Sequence, residues 1–246
     1  MTYGMTCLND SGELTMSSDC FSLCYLGKAT FVSSTDYSGT SSSSNVGGSV
    51  WTFTWPGPIV CAIGLKGGQI GARITSVTRS STSSSTWTIN VVDFSTTPTG
   101  PSGDTSGYYA QRTDSDIYVF GFPIAANLPA YGFAMYNASG VLSCDLSKPL
   151  LSINTRVALA VDVMSQTIPS FTKPAVIGYP DGFVTTSTGT GFYRNTLSLG
   201  CWRWVNDGNL YRIDVASARS IDDAPISGTN RHLTSNGILI EANGLT

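Results

Sequence analysis

Residues able to do acid–base or nucleophilic work are few in this chain. It has one histidine, His232, in the polar run Gly228-Thr229-Asn230-Arg231-His232. A serine hydrolase needs such a base beside an acid and a serine on a sharp turn. No Gly-x-Ser-x-Gly occurs, so His232 reads as an ordinary surface or packing histidine. A glycosidase needs two carboxylates facing one sugar cleft. Glu13 and Glu241 are the only glutamates, and the close aspartate pairs are Asp114/Asp116 and Asp222/Asp223. Adjacent residues of a strand point to opposite faces, which sets Asp222/Asp223 aside. Asp114 and Asp116 can share a face, but they read as solvated loop carboxylates or a loose cation site. The glycine-rich run Gly64-Leu65-Lys66-Gly67-Gly68 would cradle a phosphate only if a helix followed. Ile70–Thr78 reads as a strand instead.

The six cysteines are Cys7, Cys20, Cys24, Cys61, Cys144 and Cys201, with no Cys-x-x-Cys pair. Zinc sites need clustered Cys and His at short spacings. These thiols are therefore expected to be reduced, buried small hydrophobes. Cys20 and Cys24 are the one close pair, able to form a disulfide in an oxidising medium. No metal, cofactor or catalytic residue is expected, and the chain reads as non-enzymatic. The aromatics offer more. Trp51, Phe53 and Trp55 share one strand face and read as core. Trp202, Trp204, Tyr108 and Tyr109 divide evenly between core and surface readings, and they are the candidate interface or glycan-binding aromatics, because such rings are favoured at contacts and sugar sites.

The elements that position these residues are strands. Hydrophobic residues make up 41% of the 246 residues, enough for a real core. Charged residues are only 12%, about half the usual share. Ser, Thr, Gly and Asn replace them, which suits strands better than long amphipathic helices. The net charge of −3, with no run of Lys or Arg, argues against nucleic-acid binding. The N-terminus lacks the pattern of a secretory signal, and Val50–Leu65 is too short and too interrupted by Pro56, Gly57 and Pro58 to span a bilayer. Synthesis in a cytoplasm without membrane insertion is expected. Period-two alternation predicts strands at Ala29–Ser33, Val50–Trp55, Ile59–Leu65, Ile70–Thr78, Thr86–Val92 and Asp116–Phe120. It predicts further ones at Arg156–Met164, Ala175–Tyr179, Leu199–Val205, Leu210–Val215 and Gly237–Ala242. Ser33–Gly48 and Thr96–Gly107 read as surface loops.

Two stretches repeat at a constant spacing of 128 residues. Tyr3-Gly4-Met5-Thr6-Cys7-Leu8-Asn9-Asp10-Ser11-Gly12-Glu13-Leu14 matches Tyr131-Gly132-Phe133-Ala134-Met135-Tyr136-Asn137-Ala138-Ser139-Gly140-Val141-Leu142 at six positions. Each predicts a hairpin: a strand from Tyr-Gly, a reversal at Asn-x-Ser-Gly, and a second strand. Asn9 and Asn137 would open the turn by bonding local backbone, and Gly12 and Gly140 would supply positive φ. Thr30-Phe31-Val32 follows the first copy as Val157-Ala158-Leu159 follows the second, and Ile117–Phe120 and Ile238–Ile240 are candidate matching closing strands. The expected fold is all-β, with two sandwich-like lobes, 1–125 and 126–246, related by an internal repeat.

The hairpin motif carried by Tyr3, Gly4, Asn9 and Gly12, and again by Tyr131, Gly132, Asn137 and Gly140, resembles a pattern in small proteins encoded among the tail genes of tailed bacteriophages. The acidic residue usual after the second strand is present here only as Asp19 or Asp145, out of register with each other. The resemblance covers about a tenth of the chain. It implies a virion component near the tail tip, baseplate or fibre, made in the host cytoplasm. Its partners would be other virion tail proteins and further copies of itself in a trimer or ring. A host-surface glycan is the alternative partner, and the resemblance transfers no catalytic residue.

Overall fold

The computed structural model describes residues 6–8, 10, 14–17, 22–34, 48–66, 71–94, 115–125, 128, 132–160, 163, 165–178, 183–189, 192–204, 209–221, 231–232 and 235–245. Within them the protein is all-β. The strands of the first half are β1 (Thr6–Leu8), β2 (Leu14–Ser17), β3 (Cys24–Lys28), β4 (Thr30–Ser34), β5 (Ser49–Thr54), β6 (Ile59–Gly64), β7 (Gly71–Arg79), β8 (Thr86–Phe94) and β9 (Ile117–Gly121). Those of the second half are β10 (Ala134–Tyr136), β11 (Leu142–Asp145), β12 (Thr155–Leu159), β13 (Ser165–Thr167), β14 (Pro174–Ile177), β15 (Phe183–Gly189), β16 (Phe192–Trp204), β17 (Asn209–Ile221), β18 (Arg231–His232) and β19 (Ser235–Glu241).

Two large antiparallel sheets and two separate hairpins result. One sheet runs β12-β19-β14-β6-β9-β3, and the other runs β13-β17-β16-β7-β8-β5-β4, with β15 paired to β16 and β18 to β15. Strands from before and after residue 125 form neighbouring blocks in each sheet. The blocks join where Ala175 faces Gly64 and Val176 faces Ile63, and where Trp202 faces Ala72. One hydrophobic cluster lies between the sheets across both blocks. Cys61, Ile63, Ile117, Val119, Val157, Val176 and Leu239 enter it from one sheet, and Trp51, Ile89, Val91, Trp202 and Leu210 from the other. A second cluster, with Tyr25, Tyr118, Phe120, Ala175 and Ile240, lies on the outer face of the six-stranded sheet. That is why Ile117-Tyr118-Val119-Phe120 is buried on both faces and reads as a continuous apolar run.

The two separate hairpins share a pairing register. Thr6↔Ser17, Cys7↔Met16 and Leu8↔Leu14 in the first hairpin have counterparts 128 residues on, Ala134↔Asp145, Met135↔Cys144 and Tyr136↔Leu142. Each hairpin has its irregularity at the same step. Elsewhere the constant spacing does not hold: Gly27↔Val119 and Thr155↔Leu239 pair residues that are 128 and 120 positions apart in the two halves. The strands on either side of each Asn-x-Ser-Gly stretch pair antiparallel, while Asn9, Ser11 and Gly12 themselves lie outside the described residues. In the second, the Asn137 Oδ1 accepts the Ser139 and Val141 N–H groups at 3.0 and 2.9 Å, and Gly140 has φ +73°.

Sequence expectation and structure differ at several elements. The strand expected at Arg156–Met164 stops at Leu159, where the Val163 N–H bonds the Ala160 carbonyl. β16 and β17 run to 13 residues each, well beyond the expected Leu199–Val205 and Leu210–Val215. β3, β13 and β15 were not expected; β15 (FVTTSTG) is Ser/Thr-rich after its first two residues, so no apolar period marks it. His232 lies in a strand paired with Phe183, not in a polar loop. Of the expected loops, Ser33 and Ser34 belong to β4, and residues 35–47 and 96–107 lie outside the described residues.

Cys24, Cys61, Cys144 and Cys201 are buried free thiols, and burial pushes that of Cys61 up to about 12. Gly237 sits where a Cβ would lie 3.1 Å from the Trp202 ring and 3.3 Å from the Val176 side chain. The expected outcome of Gly237→Ala is a loss of about 1–3 kcal/mol by overpacking, measured by denaturant unfolding with the all-β circular dichroism retained.

Candidate functional site

The most developed polar arrangement among the described residues lies where the two blocks meet. Asp116 stands one residue before β9, and its backbone carbonyl accepts the Gly64 N–H. Its carboxylate is 3.3 Å from the Lys28 ammonium at the end of β3 and 3.3 Å from the Lys173 ammonium just ahead of β14. The Tyr118 hydroxyl donates to the same carboxylate at 3.1 Å. Both ammoniums also lie over the Tyr118 ring, 5.6 and 5.7 Å from its centre. Burial alone would raise the Asp116 pKa. Lys28, the Tyr118 hydroxyl and Lys173 outweigh it and leave the carboxyl below its ordinary value. The Tyr118 phenol moves up, through burial first and then the neighbouring carboxylate. Tyr25 moves up for the same two reasons.

Glu241 organises the Lys173 side of the junction. Its carboxylate accepts the Thr172, Lys173 and Asn243 N–H groups at 2.7, 2.8 and 3.0 Å. A carboxylate so engaged, or one balanced by two ammoniums as Asp116 is, makes a poor general base. The chemistry of the arrangement is attachment: Lys28 and Asp116 come from the first half, Lys173 and Glu241 from the second. In the second half Arg156 donates to Asn236 at 3.4 Å, between β12 and β19.

The structure places the sequence candidates differently. Trp202 is fully buried and Trp204 nearly so, both in the cluster between the sheets. They present no face to a partner or sugar, so of the core and interface readings this pair follows the core one, and Gly237 leaves room for the Trp202 ring. Trp51 and Trp55 are buried and Phe53 packs partly against the same core, as expected. Tyr108, Tyr109, Tyr3, Gly4, Asn9, Gly12, Tyr131, Asp114, Asp222, Asp223, Glu13 and Cys20 lie outside the described residues. The described members of the hairpin motif, Gly132, Asn137 and Gly140, surround the second reversal.

That hairpin carries a feature the sequence reading missed. Met135, Leu142 and Cys144 are buried, whereas Phe133, Tyr136, Val141 and Leu146 are between 37% and 51% exposed. Large apolar residues on both sides of the Asn137–Gly140 reversal were the available signal. The hairpin is anchored by the Ser22 N–H on the Ser143 carbonyl, so its exposed residues are carried on a fixed support. Among the described residues no group of three His, Cys, Asp or Glu side chains converges, and no helix is long and apolar enough to cross a membrane.

No protein-family model, curated protein or solved structure matches the chain.

Asp116→Asn is expected to remove one charge of the junction and lower stability by about 1 kcal/mol at neutral pH. The sign with pH follows from the depressed carboxyl: its contribution is complete above the ordinary value of 3.8 and is lost as pH falls through the lower folded value. Unfolding midpoints between neutral pH and pH 2 should therefore show a shallower acid limb in the variant than in the parent.

Proposed function

We propose that the protein is a structural component of a bacteriophage tail, at the tip, baseplate or fibre-attachment region. It assembles there with other virion proteins and with copies of itself in a trimer or ring. The observation that carries this reading is the exposed apolar set Phe133, Tyr136, Val141 and Leu146 on the hairpin whose motif resembles phage tail-gene products. Exposed apolar groups on a rigid element suit a protein contact rather than free solvent. The low charge of the chain suits a surface covered by neighbours. The glycan-binding alternative loses Trp202 and Trp204 to the core.

Mass spectrometry and electron microscopy of purified particles test the proposal. The chain should be found in stoichiometric amount in the tail, and its absence from particles would remove the reading. The double variant Phe133→Ser, Val141→Ser should keep its unfolding midpoint, because both side chains are half exposed. Its incorporation into particles should drop at least tenfold against the parent in a complementation assay.

A further inference from the structure

The chain holds two Asn-Gly dipeptides, Asn236-Gly237 and Asn243-Gly244. Both asparagines are exposed, but their glycines have opposite surroundings. An asparagine followed by glycine carries a latent reaction. The glycine main-chain nitrogen can attack the asparagine side-chain carbonyl, because no β-carbon shields that nitrogen. The attack needs a backbone rotation that brings the nitrogen up to the carboxamide carbon. A backbone locked in an extended ladder does not allow it.

Asn236-Gly237 is locked in this way. It lies inside β19, where Asn236 pairs with Ala158 and Gly237 with Val157 on β12, while the next residue, Ile238, pairs with Ile177 on β14. Gly237 is buried against Trp202, and the Asn236 side-chain oxygen accepts Arg156 at 3.4 Å. Asn243-Gly244 stands just past β19, in a turn closed by the Leu245 N–H on the Ala242 carbonyl at 3.1 Å. Gly244 is exposed, has φ +88°, and nothing lies within 4 Å of where its Cβ would be. The Asn243 N–H is anchored on the Glu241 carboxylate at 3.0 Å. Among the described residues no hydrogen bond holds the Asn243 carboxamide or the Gly244 N–H.

We propose that Asn243 is a site of spontaneous deamidation, converted in the folded protein to aspartate and isoaspartate while Asn236 is preserved. The Gly244 nitrogen bonds to the Asn243 side-chain carbon and gives up its proton. The carboxamide carbon–nitrogen bond breaks, and ammonia leaves with that proton. Water then opens the resulting cyclic imide at either carbonyl. One opening leaves an aspartate, and the other routes the main chain through the side-chain carbon as isoaspartate. The sum is one water in and one ammonia out. Either product brings a second carboxylate beside that of Glu241, which already holds the Thr172, Lys173 and Asn243 N–H groups. Isoaspartate also lengthens by one carbon the turn that seats Leu245 in the outer-face cluster. Conversion therefore loosens the Ala242–Leu245 turn and leaves the layer between the sheets intact.

The test is incubation of the full chain in mildly alkaline buffer at physiological temperature, folded and in denaturant, followed by peptide mass spectrometry. Cleavage after Glu241 separates the two sites. In the folded chain the Asn243 peptide should exchange amide for carboxyl about tenfold or more faster than the Asn236 peptide, because the ladder at Gly237 must open before it can react. In denaturant the two rates should converge. Asn243→Gln has a side chain too long to close the same ring, and it should block conversion at an unchanged unfolding midpoint. Hydrogen exchange should quicken at the Leu245 N–H, and not at Leu239, in both the aged protein and Asn243→Asp. Equal rates at the two sites in the folded chain would overturn the proposal. So would an Asn243 that converts in denaturant but not in the folded chain. Unchanged exchange at Leu245 in both samples would overturn the loosening of the turn.

Discussion

Everything in this structure depends on the apolar layer held between two sheets that neither half completes alone. Each sheet takes one block of strands from each side of residue 125, and the cluster between them draws Trp51 and Ile89 from one half and Val157, Trp202 and Leu239 from the other. Burial of such a layer is the main favourable term in folding. Hydrogen bonds across the junction are few by comparison: two pairs join β14 to β6, and one described pair joins β16 to β7. The charged group around Asp116 reinforces the junction from the outer face, where Lys173 reaches across from the second half. Such an ion network adds modestly to stability but fixes register, because its geometry is met at one alignment only.

Much of this architecture was legible in the sequence. The alternation in Val50–Trp55, Thr86–Val92 and Asp116–Phe120 marks strands because β-branched and aromatic residues recur at period two. Asn137 and Gly140 marked their reversal because each has a local backbone role, and the structure supplies the two hydrogen bonds and the positive φ. β15 and the outer parts of β16 and β17 were not legible. Residues such as Thr185, Thr186 and Ser187 give no apolar period, and their strand state comes from long-range pairing.

The polar junction was illegible for a different reason. Lys28, Asp116 and Lys173 are far apart in the chain, so no spacing links them. They meet because β3 and β9 are adjacent strands and β14 begins beside β6. Trp202 and Trp204 show the complementary limit. Their spacing places both rings on one face, but only the opposite sheet, with Gly237 leaving room for an indole, decides which way that face looks.

The two ends of the six-stranded sheet are finished by different means. At β3 the closure is backbone: the Tyr25 N–H bonds the Pro149 carbonyl, and the Leu151 N–H bonds the Leu23 carbonyl. At β12 it is a single glutamine amide. The β12 margin thus rests on two exposed side-chain bonds from Gln166, each contributing about 1 kcal/mol net, and it is the first place where this sheet would fray.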